Sequence, residues 1–111
     1  MEISWKDFEK VEMRVGTILS AKDFEKAHKP AYIMEIDFGK ELGTKSSSAQ
    51  ITQRYTKEEL VGKQVVAVVN FPKKQIANFM SECLVLGAVG ANNDIVLLNP
   101  DLNVENGLRI G

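Results

Sequence analysis

"TKEELVGKQVVAVVNF", residues 56–71, decides the fold. Thr56 is placed to cap a short helix, and Glu59, three residues on, completes a capping box. Gly62 is placed to end that helix, because the turn that closes a helix favours a residue free to adopt positive φ. From Lys63 to Phe71 the chain is apolar at both odd and even positions. A strand with that pattern is covered on both faces and lies centrally in its sheet. The fold therefore turns on what precedes and follows one short helix and one buried strand.

Three strands precede them. Val11, Met13, Val15, Leu19 and Ala21 alternate with Glu12, Arg14, Ser20 and Lys22, which predicts a half-buried strand. Gly16 inside it predicts a bend or bulge. In "AYIMEIDFG" (31–39), Tyr32, Met34, Ile36 and Phe38 oppose Glu35 and Asp37. In "TKSSSAQIT" (44–52), Lys45, Ser47, Ala49 and Ile51 oppose Thr44, Ser46, Ser48, Gln50 and Thr52. The apolar run "CLVLGAVG" (83–90), a turn at 91–94 and "IVLLNP" (95–100) follow the central strand. At the N-terminus, Ser4 and Asp7 predict a capped helical turn whose Trp5 and Phe8 share a face, to pack on an apolar surface or to join a dimer seam or peptide cavity.

A helix between the third and fourth strands of a glycine-bent, five-stranded meander is the layout of the OB-fold. The expected structure is all-β, an OB-fold five-stranded barrel with an N-terminal helical turn and a C-terminal extension. It is a single domain over residues 1–111.

The net charge of −1 does not mark a nonspecific polyanion binder. Its distribution is uneven: residues 1–37 carry −2, residues 38–81 carry +4, and residues 82–111 carry −3. The lone Cys83 can form no internal disulfide, which fits a reducing, cytoplasmic setting. No apolar N-terminal leader and no long apolar run is present, so neither secretion nor membrane insertion is expected. One histidine, His28, and one cysteine, apart in sequence, give no metal spacing. They also give no nucleophile–base pair, and no Gly-rich phosphate loop occurs. The expectation is a binding protein, not an enzyme, with no cofactor and no metal.

An OB-fold binds nucleic acid on the face of its second and third strands, between the connections that follow the first and fourth. The first connection, residues 22–30, holds Lys22, Lys26, His28 and Lys29. The second, 72–82, begins at Lys73 and Lys74. The strand face contributes Lys45, Ser47, Ser48 and Gln50. Ile76, Phe79 and Met80 recur at helical spacing, which predicts a buried stripe, a subunit contact or a patch for unfolded peptide. Leu98, Leu102 and Val104 lie in a tail more apolar than a barrel exterior needs and are candidate dimer contacts.

"DFEKVEMRVGTI" (7–18), "KPAYIMEIDFG" (29–39), "SSAQIT" (47–52), "LVGKQVVAVVNFPKKQIANFMSE" (60–82) and "LVLGA" (84–88) together resemble the CsaA family. Its members are relatives of the tRNA-binding domain appended to methionyl- and phenylalanyl-tRNA synthetases. The resemblance implies an OB-fold homodimer that binds tRNA and acts as an export-related chaperone for unfolded polypeptides. An alternative is a tRNA-binding trans factor for synthetases without chaperone activity.

In the wider domain the segment after the fourth strand reads Lys-x-Arg-Gly, then Ser-x-Gly-Met. Here Gln75 takes the lysine position, Ala77 and Asn78 the Arg-Gly positions, and Ser81 the serine. Cys83 and Leu84 stand where Gly-Met is usual. The resemblance adds Gln75, Asn78 and Ser81 to the tRNA-binding candidates. The guanidinium suited to bidentate phosphate contact is absent, which leaves that contact to the lysines.

Overall fold

The computed structural model describes all 111 residues. Its strands are β1 (Met13–Asp23), β2 (Tyr32–Asp37), β3 (Thr44–Ala49), β4 (Gln64–Val68), β5 (Lys74–Ile76), β6 (Phe79–Ser81), β7 (Leu84–Val85), β8 (Gly87–Val89) and β9 (Ile95–Leu97). Short helices α1 (Trp5–Glu9), α2 (Gly39–Leu42) and α3 (Lys57–Leu60) lie between them. The main sheet is antiparallel, in the order β3-β2-β1-β4-β7. The edges of β3 and β7 approach through residues 46–47 and 82–83, so the sheet curls into a nearly closed, OB-like barrel.

Local chemistry places α3 and β4 as the sequence predicts. The Thr56 hydroxyl accepts from the Glu59 N–H at 3.3 Å, and the Glu59 carboxylate accepts from the Thr56 N–H at 2.8 Å. Gly62 takes positive φ just beyond. Residues 65–68 of β4 are all buried. Leu60, the last residue of α3, joins Ile18, Met34, Ile36, Phe38 and Val65 in the core.

β1 departs from simple alternation. Leu19 is an extra residue in the β1–β2 ladder: Ile18 faces Ile36, and Ser20 faces Glu35. The bulge therefore falls at Leu19 and not at the expected Gly16. It switches the phase, so Ile18 enters the core and Leu19 is exposed. Gly16 serves packing instead. A Cβ there would lie 2.6 Å from Ile36 Cγ2 and 2.8 Å from the Phe38 ring.

The C-terminal extension covers the remaining edge of β1. The Gly107 N–H donates to the Val15 carbonyl at 2.7 Å, and the Val15 and Ile110 N–H groups bond to Leu108 and Met13 carbonyls. Gly107 has φ +93°, and a Cβ would fall 2.6 Å from the Phe38 carbonyl oxygen. Gln64 brackets Val104, donating to its carbonyl and accepting from its N–H.

Three expectations are corrected. Residues 74–81 form a β-hairpin, β5–β6, not a helical stripe; Ile76 pairs with Phe79, and Met80 points to solvent. Left-handed Ala77 (φ +51°) makes the tight turn. The apolar run 83–90 is two strands, since β7 pairs with β4 while β8 pairs with β9. The helical turn α1 has the predicted Ser4–Asp7 capping box, but none of its residues is buried, and Trp5 is 81% exposed.

Gly16→Ala should destabilise the protein by about 2 kcal/mol, because Ile36 and Phe38 have no room to yield. A fall in the urea midpoint with unchanged slope would register it.

Candidate nucleic-acid interface

The two long connections converge. Phe24, in the connection after β1, packs edge-to-face on Phe79 of the hairpin, with ring centroids 5.6 Å apart and planes at 63°. Two clefts lie beside the hairpin. One, about 470 Å³, is lined by Lys26, His28 and Lys29 with Gln50. The other, about 670 Å³, is lined by Phe71, Lys73, Lys74, Ser81 and Leu84. Ser48 and Ile76 line both, so the clefts are neighbours across one divide. Asn78 lines a further depression with Lys22 and Lys26.

The ladder sorts the strand candidates by face. Ile33, Glu35 and Asp37 of β2 oppose Ser48, Ser46 and Thr44, and these form the outer side. Lys45, Ser47 and Ala49 oppose core residues Ile36, Met34 and Tyr32. Ser47 is thus buried, and its hydroxyl donates to the Cys83 carbonyl at 3.0 Å. It is a structural link across the barrel seam and not part of the accessible surface. Lys45 is partly buried, Ser48 is half-buried at the cleft divide, and Gln50 is exposed.

On the hairpin, Lys74 and Gln75 are exposed, and the Gln75 amide donates to the Ala77 carbonyl at 3.3 Å. Ser81 is half-buried and donates to the Cys83 carbonyl. Ile76 and Phe79 are half-buried, while Met80, Phe71 and Leu84 are about half exposed. Leu98, Leu102 and Val104 are also exposed, with Leu102 at 73%. Phe8 is half-buried on α1.

One residue outside the sequence candidates organises this region. Glu82 accepts the Ser46 N–H on Oε1 at 2.9 Å and donates its own N–H to the Ser46 carbonyl at 2.8 Å. Its Oε2 lies 3.5 Å from Lys73 Nζ. The Ser46 hydroxyl donates in turn to Glu35 Oε1 at 2.7 Å. The Ser46 N–H, and secondarily Lys73, hold the Glu82 carboxyl below the usual carboxylate range. Next to it, burial pushes the Cys83 thiol up to about 11, so it is neutral and unreactive at pH 7.

A third cleft, about 680 Å³, lies between α2 and the C-terminal extension and holds Arg14, Lys40 and Arg109. Arg14 is bonded to Glu12 and the Gly107 carbonyl, and Arg109 to the Glu9 carbonyl. These guanidiniums hold the tail and α1 in place. No group of three or more His, Cys, Asp or Glu side chains is arranged to hold a metal. No helix is long and apolar enough to cross a membrane.

Residues 13–109 match the family described as "Putative tRNA binding domain". The chain belongs to this tRNA-binding-domain family. Within it, the chain is a homologue of the CsaA chaperones. It is 50% identical to chaperone CsaA of Bacillus anthracis str. Ames, with TM-score 0.95 and all of both chains covered. It is 52% identical to the CsaA chaperone of Picrophilus torridus, with TM-score 0.92 over 99% of this chain and 100% of that one. Methionine–tRNA ligase of Pelodictyon phaeoclathratiforme is 35% identical over 108 residues. The chain spans 15% of that ligase's length.

Because its folded pKa is lowered, Glu82 adds stability that is complete above its unfolded value and lost as pH falls through the folded one. Glu82→Gln should therefore cost about 1 kcal/mol at pH 7. The gap to the parent should close as pH falls below about 4. Denaturant titrations at pH 7 and pH 3 test this.

Proposed function

We propose that the chain is a CsaA-type chaperone that binds tRNA and also unfolded or export-bound polypeptide, acting as a homodimer. The observation that carries the tRNA reading is the convergence of the two cation-bearing connections at the Phe24–Phe79 contact. This puts Lys26, Lys29, Lys73 and Lys74 around two adjoining clefts. Positively charged loops on a rigid barrel suit the phosphates of a structured RNA. Ser48, Gln50, Gln75, Asn78 and Ser81 supply neutral donors and acceptors for ribose and base edges. With no arginine on the hairpin, the contacts are point charges and depend on position, not on bidentate geometry.

Exposed apolar side chains support the peptide half of the reading. Phe71 and Leu84 open onto the larger cleft, and Met80 projects from the hairpin. Trp5 and Leu102 are largely exposed and Leu98 and Val104 partly so, which favours a subunit contact. The trans-factor alternative keeps the RNA site and lacks the peptide activity. Aggregation of a denatured client, measured with and without the protein, separates the two. Equal aggregation would leave only the RNA role.

Three to four phosphate contacts give a log–log salt slope of about −2.7 to −3.6, or roughly a fortyfold to hundredfold loss of tRNA affinity between 50 and 200 mM salt. Lys73→Ala/Lys74→Ala should weaken binding about tenfold at 0.1 M salt and flatten that slope. An unchanged, salt-insensitive affinity would overturn the RNA reading. Light scattering at micromolar concentration should give about twice the 12.3 kDa chain mass. A monomer mass would overturn the dimer.

A further inference from the structure

Lys73 and Lys74 are neighbours in sequence but not in circumstance. Lys73 Nζ sits 3.5 Å from Glu82 Oε2, whereas Lys74 makes no ion pair. The two members of the Lys73–Glu82 pair also differ in freedom. Glu82 is tied to β3 through both its carboxylate and its backbone N–H, and its side chain is 28% exposed. The Lys73 side chain is 68% exposed at the end of a long flexible stem. When the pair opens, the lysine leaves and the carboxylate stays. Glu35, one hydrogen bond beyond Ser46, places a second carboxylate on the same outer side.

We infer that Glu82 is a resident counter-ion of the proposed polyanion site, holding Lys73 in the free protein and lowering its contribution when RNA binds. This rests on the tRNA reading above. A phosphate that engages Lys73 must separate it from Glu82 and then lies near a fixed negative charge. The gain is small, because one anion replaces another at the ammonium. Lys74 has no internal anion beside it, so it neutralises its phosphate in full and releases the cation condensed there. Glu82 thereby weakens affinity for any RNA that relies on Lys73. It also steers phosphate toward Lys74 and the Lys26–Lys29 side, away from the Glu35–Ser46–Glu82 seam.

The experiment uses unfractionated tRNA and the full chain, titrated against salt. Glu82→Gln keeps an oxygen to accept the Ser46 N–H and removes the charge. It should bind tRNA about eightfold more tightly at 0.1 M salt, with a slope steeper by about 0.9. In a Lys73→Ala background the same substitution should gain less than about twofold, since the freed cation is missing. In the otherwise unaltered chain, Lys73→Ala should cost less than about twofold and Lys74→Ala about eightfold.

Unchanged affinity of Glu82→Gln, or an equal gain without Lys73, overturns the inference. If Glu82→Gln does not fold, the Lys73→Ala and Lys74→Ala comparison decides, and equal losses overturn it. A parent chain without salt-dependent tRNA binding overturns the RNA reading and this inference together. A parent that binds with the expected slope while Glu82→Gln changes nothing overturns this inference alone.

Discussion

The fold and its surface both depend on how β3 is joined to the chain entering β7. A sheet of five strands has two open edges, and unpaired edge groups invite association with other chains. Here the edges meet through a compact set of bonds. Ser46 and Glu82 exchange backbone and carboxylate hydrogen bonds, and Ser47 donates inward to the Cys83 carbonyl. The small side chains of β3 make this possible. Bulky residues at 46–48 would hold the edges apart and fill the space the hydroxyls need. A strand that reads as featureless is small and polar because it is a seam.

That seam explains why the legible part of the sequence was the architecture. Period-two alternation, two capping boxes and an all-apolar central strand each have one dominant physical cause, and each is where it was expected. The convergence of the connections followed from the barrel topology. What failed were positions where two causes compete. In β1 adjacent Val15 and Gly16 are both buried, which breaks the alternation before the bulge, and the apolar Leu19 conceals the change of phase. In 76–80 the apolar spacing suits a helix, yet only two residues separate Lys73 from Ile76. The Ile76–Phe79 pairing across a left-handed Ala77 lets the hairpin cover Phe24 instead.

The candidate site was legible only in part for a related reason. Loop cations are visible in sequence because nothing else explains them. Faces of β3 are not, because serine suits both sides of a sheet, and Ser47 reads as a surface residue although it is buried. Glu82 is less visible still. As one acidic residue at the end of a basic segment it could be solvent-facing, and only the closed barrel brings it to Ser46 across 36 positions of chain.

The same geometry couples stability to electrostatics on this surface. A carboxylate that accepts a backbone N–H in the seam must remain ionised to do so well, and its charge then reaches into the cleft where Lys73 sits. Closing the barrel with a neutral acceptor would free the lysine but weaken the closure. Moving Lys73 away from Glu82 would spare its charge but empty that side of the cleft. The hairpin retains both, with Lys74 beside them as the unpaired cation. This surface is therefore less basic than its lysine count implies, in keeping with a chain whose net charge is −1 despite a +4 segment at its centre.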